Sequence, residues 1–81
     1  MIIYNAVREV MKLRRMRLID VAERLGVRAS LIADRLGQEN ISIGKLEDIL
    51  RVMDYKIAIV PKEAKLPDGA IYIEKGSKKD E

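Results

Sequence analysis

The architecture of this chain depends most on one short internal segment, Asp20-Val21-Ala22-Glu23-Arg24-Leu25-Gly26-Val27, which is followed by Ile32. Gly26 predicts the end of a helix, because glycine readily takes the left-handed conformation that follows a last helical turn. Ala22, four residues earlier, is small enough for a second helix to cross it closely. Ile32, six residues after the glycine, is spaced to anchor that second helix on a core. The segment therefore predicts two short helices joined by a tight turn.

Apolar residues at helical spacing extend this pattern on both sides of the segment. They predict a first helix from Ile3 to about Arg14, a second over 18–25, a third over 28–36 and a fourth from Ser42 to Met53. Ser42 is a favourable N-cap residue for the fourth helix. The expected fold class is mostly α, with four helices that form one helix-turn-helix domain over residues 1–54.

The pattern changes in the last third of the chain, where apolar and polar residues alternate in the period of a β-strand. Residues 55–60 and 70–74 are predicted strands, and the turn signal Leu66-Pro67-Asp68-Gly69 lies between them. The prediction is a β-hairpin over residues 55–74, followed by a disordered tail over residues 75–81. Because a lone hairpin is marginal in water, we expect a homodimer held by its apolar side chains: Tyr55, Ile57, Ile59, Ile71 and Ile73. A monomer whose hairpin caps the helices is the alternative.

Composition excludes several classes of function. The 81 residues include no Cys and no His, which removes thiol and imidazole nucleophiles, soft metal sites and disulfides. The sequence has no Gly-x-x-x-x-Gly-Lys phosphate loop, and the carboxylates Asp20 and Glu23 are typical of a solvated surface pair. We therefore expect no enzyme activity, cofactor, metal or small-molecule substrate.

The apolar runs are too short for a membrane protein. None approaches the roughly 20 residues that span a bilayer. The apolar start that turns charged at Arg8 reverses the order of a secretory signal. The expected location is cytoplasmic, with no membrane partner.

Positive charge is concentrated in the first half of the chain. Residues 1–37 hold eight Lys or Arg and four Asp or Glu, a balance of +4, whereas residues 38–81 hold eight and nine, a balance of −1. The planar fork of arginine suits phosphate groups and guanine edges. The densest cluster, Lys12–Arg17, is consistent with a phosphate-facing surface or with a solvated helix end whose cations complement the helix dipole.

The segment from Asp20 to Ile32, together with Ile41-Ser42-Ile43-Gly44-Lys45-Leu46-Glu47-Asp48-Ile49-Leu50, resembles the Cro/repressor-type (XRE-like) helix-turn-helix family of DNA-binding proteins. The resemblance covers about residues 3–54. It implies a lambda-repressor-like domain in a phage-like or mobile-element-like transcriptional regulator. The implied partner is double-stranded DNA, which a homodimer would read in the major groove with the helix over residues 28–36.

The resemblance also implies roles for particular side chains. Residues expected to contact base edges are Arg28, Ala29, Ser30, Ala33 and Asp34. Arg28 is suited to guanine O6 and N7, and Asp34 either accepts from cytosine N4 or pairs with a neighbouring arginine. Five further arginines are expected to contact phosphates: Arg14, Arg15, Arg17, Arg24 and Arg35.

Two positions depart from the family pattern. Leu18 stands where members often begin the second helix with Gln, and Arg28 stands where the recognition helix often has a Ser or Thr cap. Two alanines and an aspartate also leave the recognition surface with few hydrogen-bond donors. These departures favour an alternative function, an antitoxin-like or antirepressor-like protein-interaction module with weakened DNA readout.

Overall fold

Four helices make up the regular structure of residues 1–76, which are the residues that the computed structural model describes. They are α1 (Ile3–Leu13), α2 (Leu18–Leu25), α3 (Ala29–Leu36) and α4 (Ile43–Val52). Their ends lie within two residues of the predicted ends, so the mostly helical, four-helix fold is confirmed. None of these helices is long and apolar enough to cross a membrane. From residue 77 onward, the predicted disordered tail lies outside the described residues.

The core is apolar and draws on all four helices. Its largest fully buried side chains are Ile32, Leu36, Ile49, Met53, Val7 and Val21. Within residues 1–76 no polar or charged side chain is buried. Because each fully buried aliphatic side chain contributes about 1.5–3 kcal/mol, this cluster is the main source of stability. Helix α2 contacts both α3 and α4, and α3 also contacts α1.

The turn after α2 has the geometry that Gly26 predicts. Gly26 is left-handed, with φ 70° and ψ 30°. The Val27 N–H donates to the Ala22 carbonyl (3.0 Å) and the Gly26 N–H donates to the Glu23 carbonyl (3.1 Å). This pair of hydrogen bonds is a Schellman motif, which ends a helix and redirects the chain.

We expect Gly26→Ala to lower the free energy of unfolding by about 1–2 kcal/mol, the cost of a left-handed conformation for an L-residue. A Cβ at Gly26 would meet no atom within 4 Å, so the cost comes from the backbone alone. Gly44→Ala is the matched control, because a Cβ there is equally unobstructed and alanine favours a helix, by up to about 1 kcal/mol. Urea unfolding followed by circular dichroism measures both variants. If both substitutions changed the free energy of unfolding in the same direction, the assignment of Gly26 as the left-handed residue that ends α2 would be contradicted.

Helix α4 ends with the same motif, built around Asp54. This residue has φ 59°, a conformation that Asp adopts more readily than most non-glycine residues. The Tyr55 N–H donates to the Leu50 carbonyl (3.0 Å) and the Asp54 N–H donates to the Arg51 carbonyl (3.1 Å). The chain therefore turns sharply after α4, and Tyr55 packs against the core.

Asp20 caps the amino end of α2. Its carboxylate accepts hydrogen bonds from the backbone N–H of Arg17 (2.8 Å) and from the Arg17 guanidinium (3.2 and 3.3 Å). The side-chain hydrogen bond from Arg17, aided by the backbone one, lowers the pKa of Asp20 from its ordinary value. The same side-chain contact raises the pKa of Arg17. Asp20 is thus the acidic half of a capping box.

We expect this cap to stabilise the protein at neutral pH and to be lost in acid. The folded-state pKa of Asp20 lies below the unfolded value of about 3.9. Its contribution is therefore complete above that value and disappears as pH falls through the folded pKa. Asp20→Asn should reduce the free energy of unfolding more at about pH 7 than at about pH 3. Glu23→Gln makes the same charge change on α2 without touching the cap. If Asp20→Asn lowered the free energy of unfolding as much at about pH 3 as at about pH 7, this capping role would be contradicted.

The predicted β-hairpin over residues 55–74 is wrong. In the part of the chain that the structure describes, the only β-pairing is an isolated parallel bridge between Ile2 and Glu74. Two turns interrupt the connection, with the Ala64 N–H donating to the Pro61 carbonyl and the Ala70 N–H to the Pro67 carbonyl. The chain folds back through the Tyr55 hydroxyl, which donates to the Gly69 carbonyl (2.8 Å). A two-stranded ribbon alone is marginal, and these contacts replace it.

The residues predicted to hold a dimer together fall into two groups. Tyr55 and Ile71 are half-buried and pack against the core. Ile57, Ile59 and Ile73 are exposed, Ile59 almost completely, at 99%. The homodimer, and residues 55–74 as its contact, stay predictions.

Candidate nucleic-acid interface

The candidate interface is built on the α2–turn–α3 unit. Ala22 is 2% exposed and Ile32 is 0% exposed, so the small crossing residue and the apolar anchor are both buried, as their spacing predicts. The Schellman turn at Gly26 then directs Arg28 to the surface. Helix α3 therefore begins at the surface while its inner face is held in the core.

The start of α3 carries no cap from any side chain. Arg28 is the N-cap residue, and no side chain accepts a hydrogen bond from the first N–H groups of the helix. The first turn also contains no acidic residue. By contrast, α2 is capped by Asp20, and α4 by Ser42, whose Oγ accepts from the Lys45 N–H (3.2 Å). The positive end of the α3 dipole is thus left uncompensated, which favours an anion there.

The five predicted base-contacting residues differ in exposure. Arg28, Ser30 and Asp34 are exposed, whereas Ala29 and Ala33 are half-buried. The methyl group of Ala29 packs against the core, and its contact with a base edge stays a prediction. The ion pairs within residues 1–76 do not include Asp34, so the predicted pairing with an arginine is not formed. The polar part of this surface, called the reading surface below, consists of Arg28, Ser30 and Asp34.

Three of the five predicted phosphate-contacting arginines have partners within the protein. The Arg14 guanidinium lies 5.0 Å from the centroid of the Tyr55 ring. Arg17 is paired with Asp20. Arg24 donates to the Val52 carbonyl (3.4 Å). These contacts within the protein fix the positions of the three arginine side chains.

The contacts of Arg14 and Arg24 lie at or just after the carboxyl end of α4, away from its amino end. Arg24 contacts Val52, the last residue of α4, and Arg14 contacts Tyr55, three residues beyond it. Because a ten-residue helix such as α4 is about 15 Å long, these two contacts lie about that far from its amino end.

Of the remaining predicted phosphate-contacting arginines, Arg15 is exposed and Arg35 is half-buried, and neither has an ion pair within residues 1–76.

Sequence reasoning missed two features of this surface. The capping contact between Arg17 and Asp20 has a recognisable signal, since an acidic residue three positions after an N-cap is typical of a capping box. Lys45, exposed in the first turn of α4, is a further cation that was not among the predicted phosphate-contacting residues. Within residues 1–76 no three Cys, His, Asp or Glu side chains are grouped as metal ligands.

No protein-family model, curated protein or solved structure matches this chain.

Proposed function

We propose that this protein is a DNA-binding transcriptional regulator of the Cro/repressor type that inserts the start of α3 into the major groove. The observation that carries the proposal is the α2–turn–α3 unit, in which Ala22 and Ile32 are buried while Arg28 and Ser30 are exposed. A helix fits the major groove, which is about 12 Å wide. The resemblance of residues 3–54 to this family supports the proposal, and with it a lambda-repressor-like arrangement of the four helices.

The distribution of charge supports binding to phosphate. The uncapped start of α3 and the Arg28 side chain are together, and Arg15 and Arg35 add cations without acidic partners among residues 1–76. Each cation that neutralises a phosphate releases counterions, so binding weakens with salt. This electrostatic contribution gives affinity for a duplex of any sequence.

The reading surface supplies the sequence preference. The Arg28 fork can donate two hydrogen bonds to guanine O6 and N7, and the Asp34 carboxylate can accept from cytosine N4. Ser30, one residue into α3, can contact a base or a phosphate. With only three polar side chains, one copy reads few base pairs. Two copies would read two half-sites about 34 Å apart, so the proposed active form is a homodimer.

The test is fluorescence anisotropy with labelled duplexes, including a pool of random sequence. If three phosphates are neutralised, the Kd should rise roughly 40-fold between about 50 and 200 mM salt. Arg15→Glu should weaken binding to every duplex, and Lys62→Glu, the same charge reversal in an exposed turn of the C-terminal segment, should weaken it far less. Absence of binding to any duplex at low salt would overturn the proposal.

The exposed apolar residues after α4 favour a second candidate, a protein-interaction module that keeps the fold. Ile59 is 99% exposed, Tyr72 63% and Ile73 40%. Such a module needs no salt-dependent affinity for DNA. The anisotropy experiment therefore separates the two candidates.

A further inference from the structure

A groove of about 870 Å³ lies between α1 and the start of α2, and much of its lining is apolar. Met1, Met11 and Met16 line it, which is three of the four methionines of the chain. Ile19 also lines it and is 55% exposed. Methionine side chains adapt to irregular apolar shapes and are common on surfaces that bind other proteins. The groove is therefore suited to the apolar side chains of a partner.

Positive charge accompanies this apolar lining along α1. Arg8 and Lys12 line the groove and are exposed, and their spacing of four residues places them on one face of the helix. Neither forms an ion pair within residues 1–76. Arg17 also lines the groove but is paired with Asp20, and within residues 1–76 Glu9 is the one carboxylate of the lining. The unpaired positive charge of the groove is therefore concentrated on α1.

The charge and the apolar lining together indicate the chemistry of the partner. Phosphates of a duplex could pair with Arg8 and Lys12, but they would leave Ile19 exposed to water, because a phosphate offers no apolar contact. A helix with carboxylates four residues apart presents them at the spacing of Arg8 and Lys12, and an amphipathic helix adds an apolar face. Since α1 has eleven residues and is about 16 Å long, about three turns of such a helix fit beside it.

We propose that the groove between α1 and α2 binds an acidic amphipathic helix of a partner protein. Two carboxylates of that helix pair with Arg8 and Lys12, and its apolar face packs on Ile19 and the methionine side chains. Insertion of an amphipathic helix into an apolar groove is a common mode of peptide recognition, and complementary charge selects the partner. The reading surface on α3 shares no residue with this groove. The inference therefore does not depend on DNA binding.

A displayed library of helix-forming peptides tests the inference with the whole chain. Peptides of about 14 residues, roughly four helical turns, are selected for binding to the protein, and peptides that also bind the Lys12→Glu variant are removed. The expected result is enrichment of peptides with two carboxylates four residues apart and apolar residues on an adjoining face. A labelled synthetic copy of one enriched peptide then gives a Kd by fluorescence anisotropy.

Variants of the protein locate the peptide on the groove. Lys12→Glu and Arg8→Glu should each raise the Kd of the peptide roughly tenfold, because each loses an ion pair and adds a contact between like charges. Lys62→Glu, the same reversal in an exposed turn, should change it less than about twofold. Ile19→Ser should also raise the Kd, whereas Ile43→Ser, at a position in α4 that is 72% exposed, should leave it unchanged. Circular dichroism checks that each variant is folded.

A charge exchange is the decisive measurement, because it requires direct contact. Replacing one glutamate of the peptide with lysine should weaken binding to the unmodified protein and restore binding to Lys12→Glu.

Two sets of results would overturn the inference. One is enrichment of no peptide, or of peptides without carboxylates, or equal effects of Lys12→Glu and Lys62→Glu. The other is displacement of the peptide by duplex DNA whose own Kd rises as much with Lys12→Glu, which would assign the groove to nucleic acid. A protein that binds the peptide but no duplex would overturn only the proposed function.

Discussion

Ile32→Ala is expected to lower the free energy of unfolding by about 2–5 kcal/mol, the range for truncating a buried isoleucine. Ile32 is 0% exposed and belongs to the core cluster with Val21 and Ala22 of α2. Removing its outer carbons loses transfer free energy and leaves a cavity at the base of α3. A domain of this length is stabilised by only about 4–12 kcal/mol in total. This one substitution therefore removes a large share of the stability.

Urea unfolding followed by far-ultraviolet circular dichroism measures this loss. Ile43→Ala is the matched control, because Ile43 lies in α4 but is 72% exposed. Its truncation should change the free energy of unfolding by no more than about 0.5 kcal/mol. Equal losses for the two variants would contradict the assignment of Ile32 as the residue that anchors α3.

Arg28→Ala is expected to weaken binding to the preferred duplex by about 5- to 150-fold, equivalent to about 1–3 kcal/mol for a bidentate contact with guanine. The reason is the position of Arg28, exposed at the uncapped start of α3. The loss should be smaller for duplexes in which that base pair is changed, so the variant also discriminates less between sequences. This prediction depends on the proposed function.

Anisotropy titrations on a selected duplex and on single-base-pair variants of it measure this effect. Lys62→Ala removes the same charge from the exposed turn that follows Pro61 and should affect all duplexes slightly and equally. Equal losses on every duplex for Arg28→Ala would assign Arg28 to phosphate. An unchanged Kd would remove the start of α3 from the interface.

The helices could be predicted because their signals are local. Gly26 ends α2 through its own backbone conformation, and Ser42 caps α4 through a contact three residues away. Apolar and polar residues alternate after α4 as they do in a β-strand. A strand also needs a partner strand to pair with, and the alternation does not identify one. Tyr55 instead bonds to Gly69 across a loop, and the predicted hairpin did not form.

The candidate site shows the same division between local and distant contacts. The burial of Ala22 and Ile32 followed from spacing within one motif. Arg14 and Arg24 were assigned to phosphate from charge alone, yet their partners are Tyr55 and Val52. Those contacts join the ends of α1 and α2 to the end of α4, and no sequence pattern in either helix reports them.

The hydrogen bond from the Tyr55 hydroxyl to the Gly69 carbonyl lies within the residues after α4, and the one from the Glu74 N–H to the Met1 carbonyl joins these residues to the chain before α1, so neither bond holds them to a helix. These residues can therefore detach while the helices remain folded, and their amide protons should exchange with solvent well before those of the core.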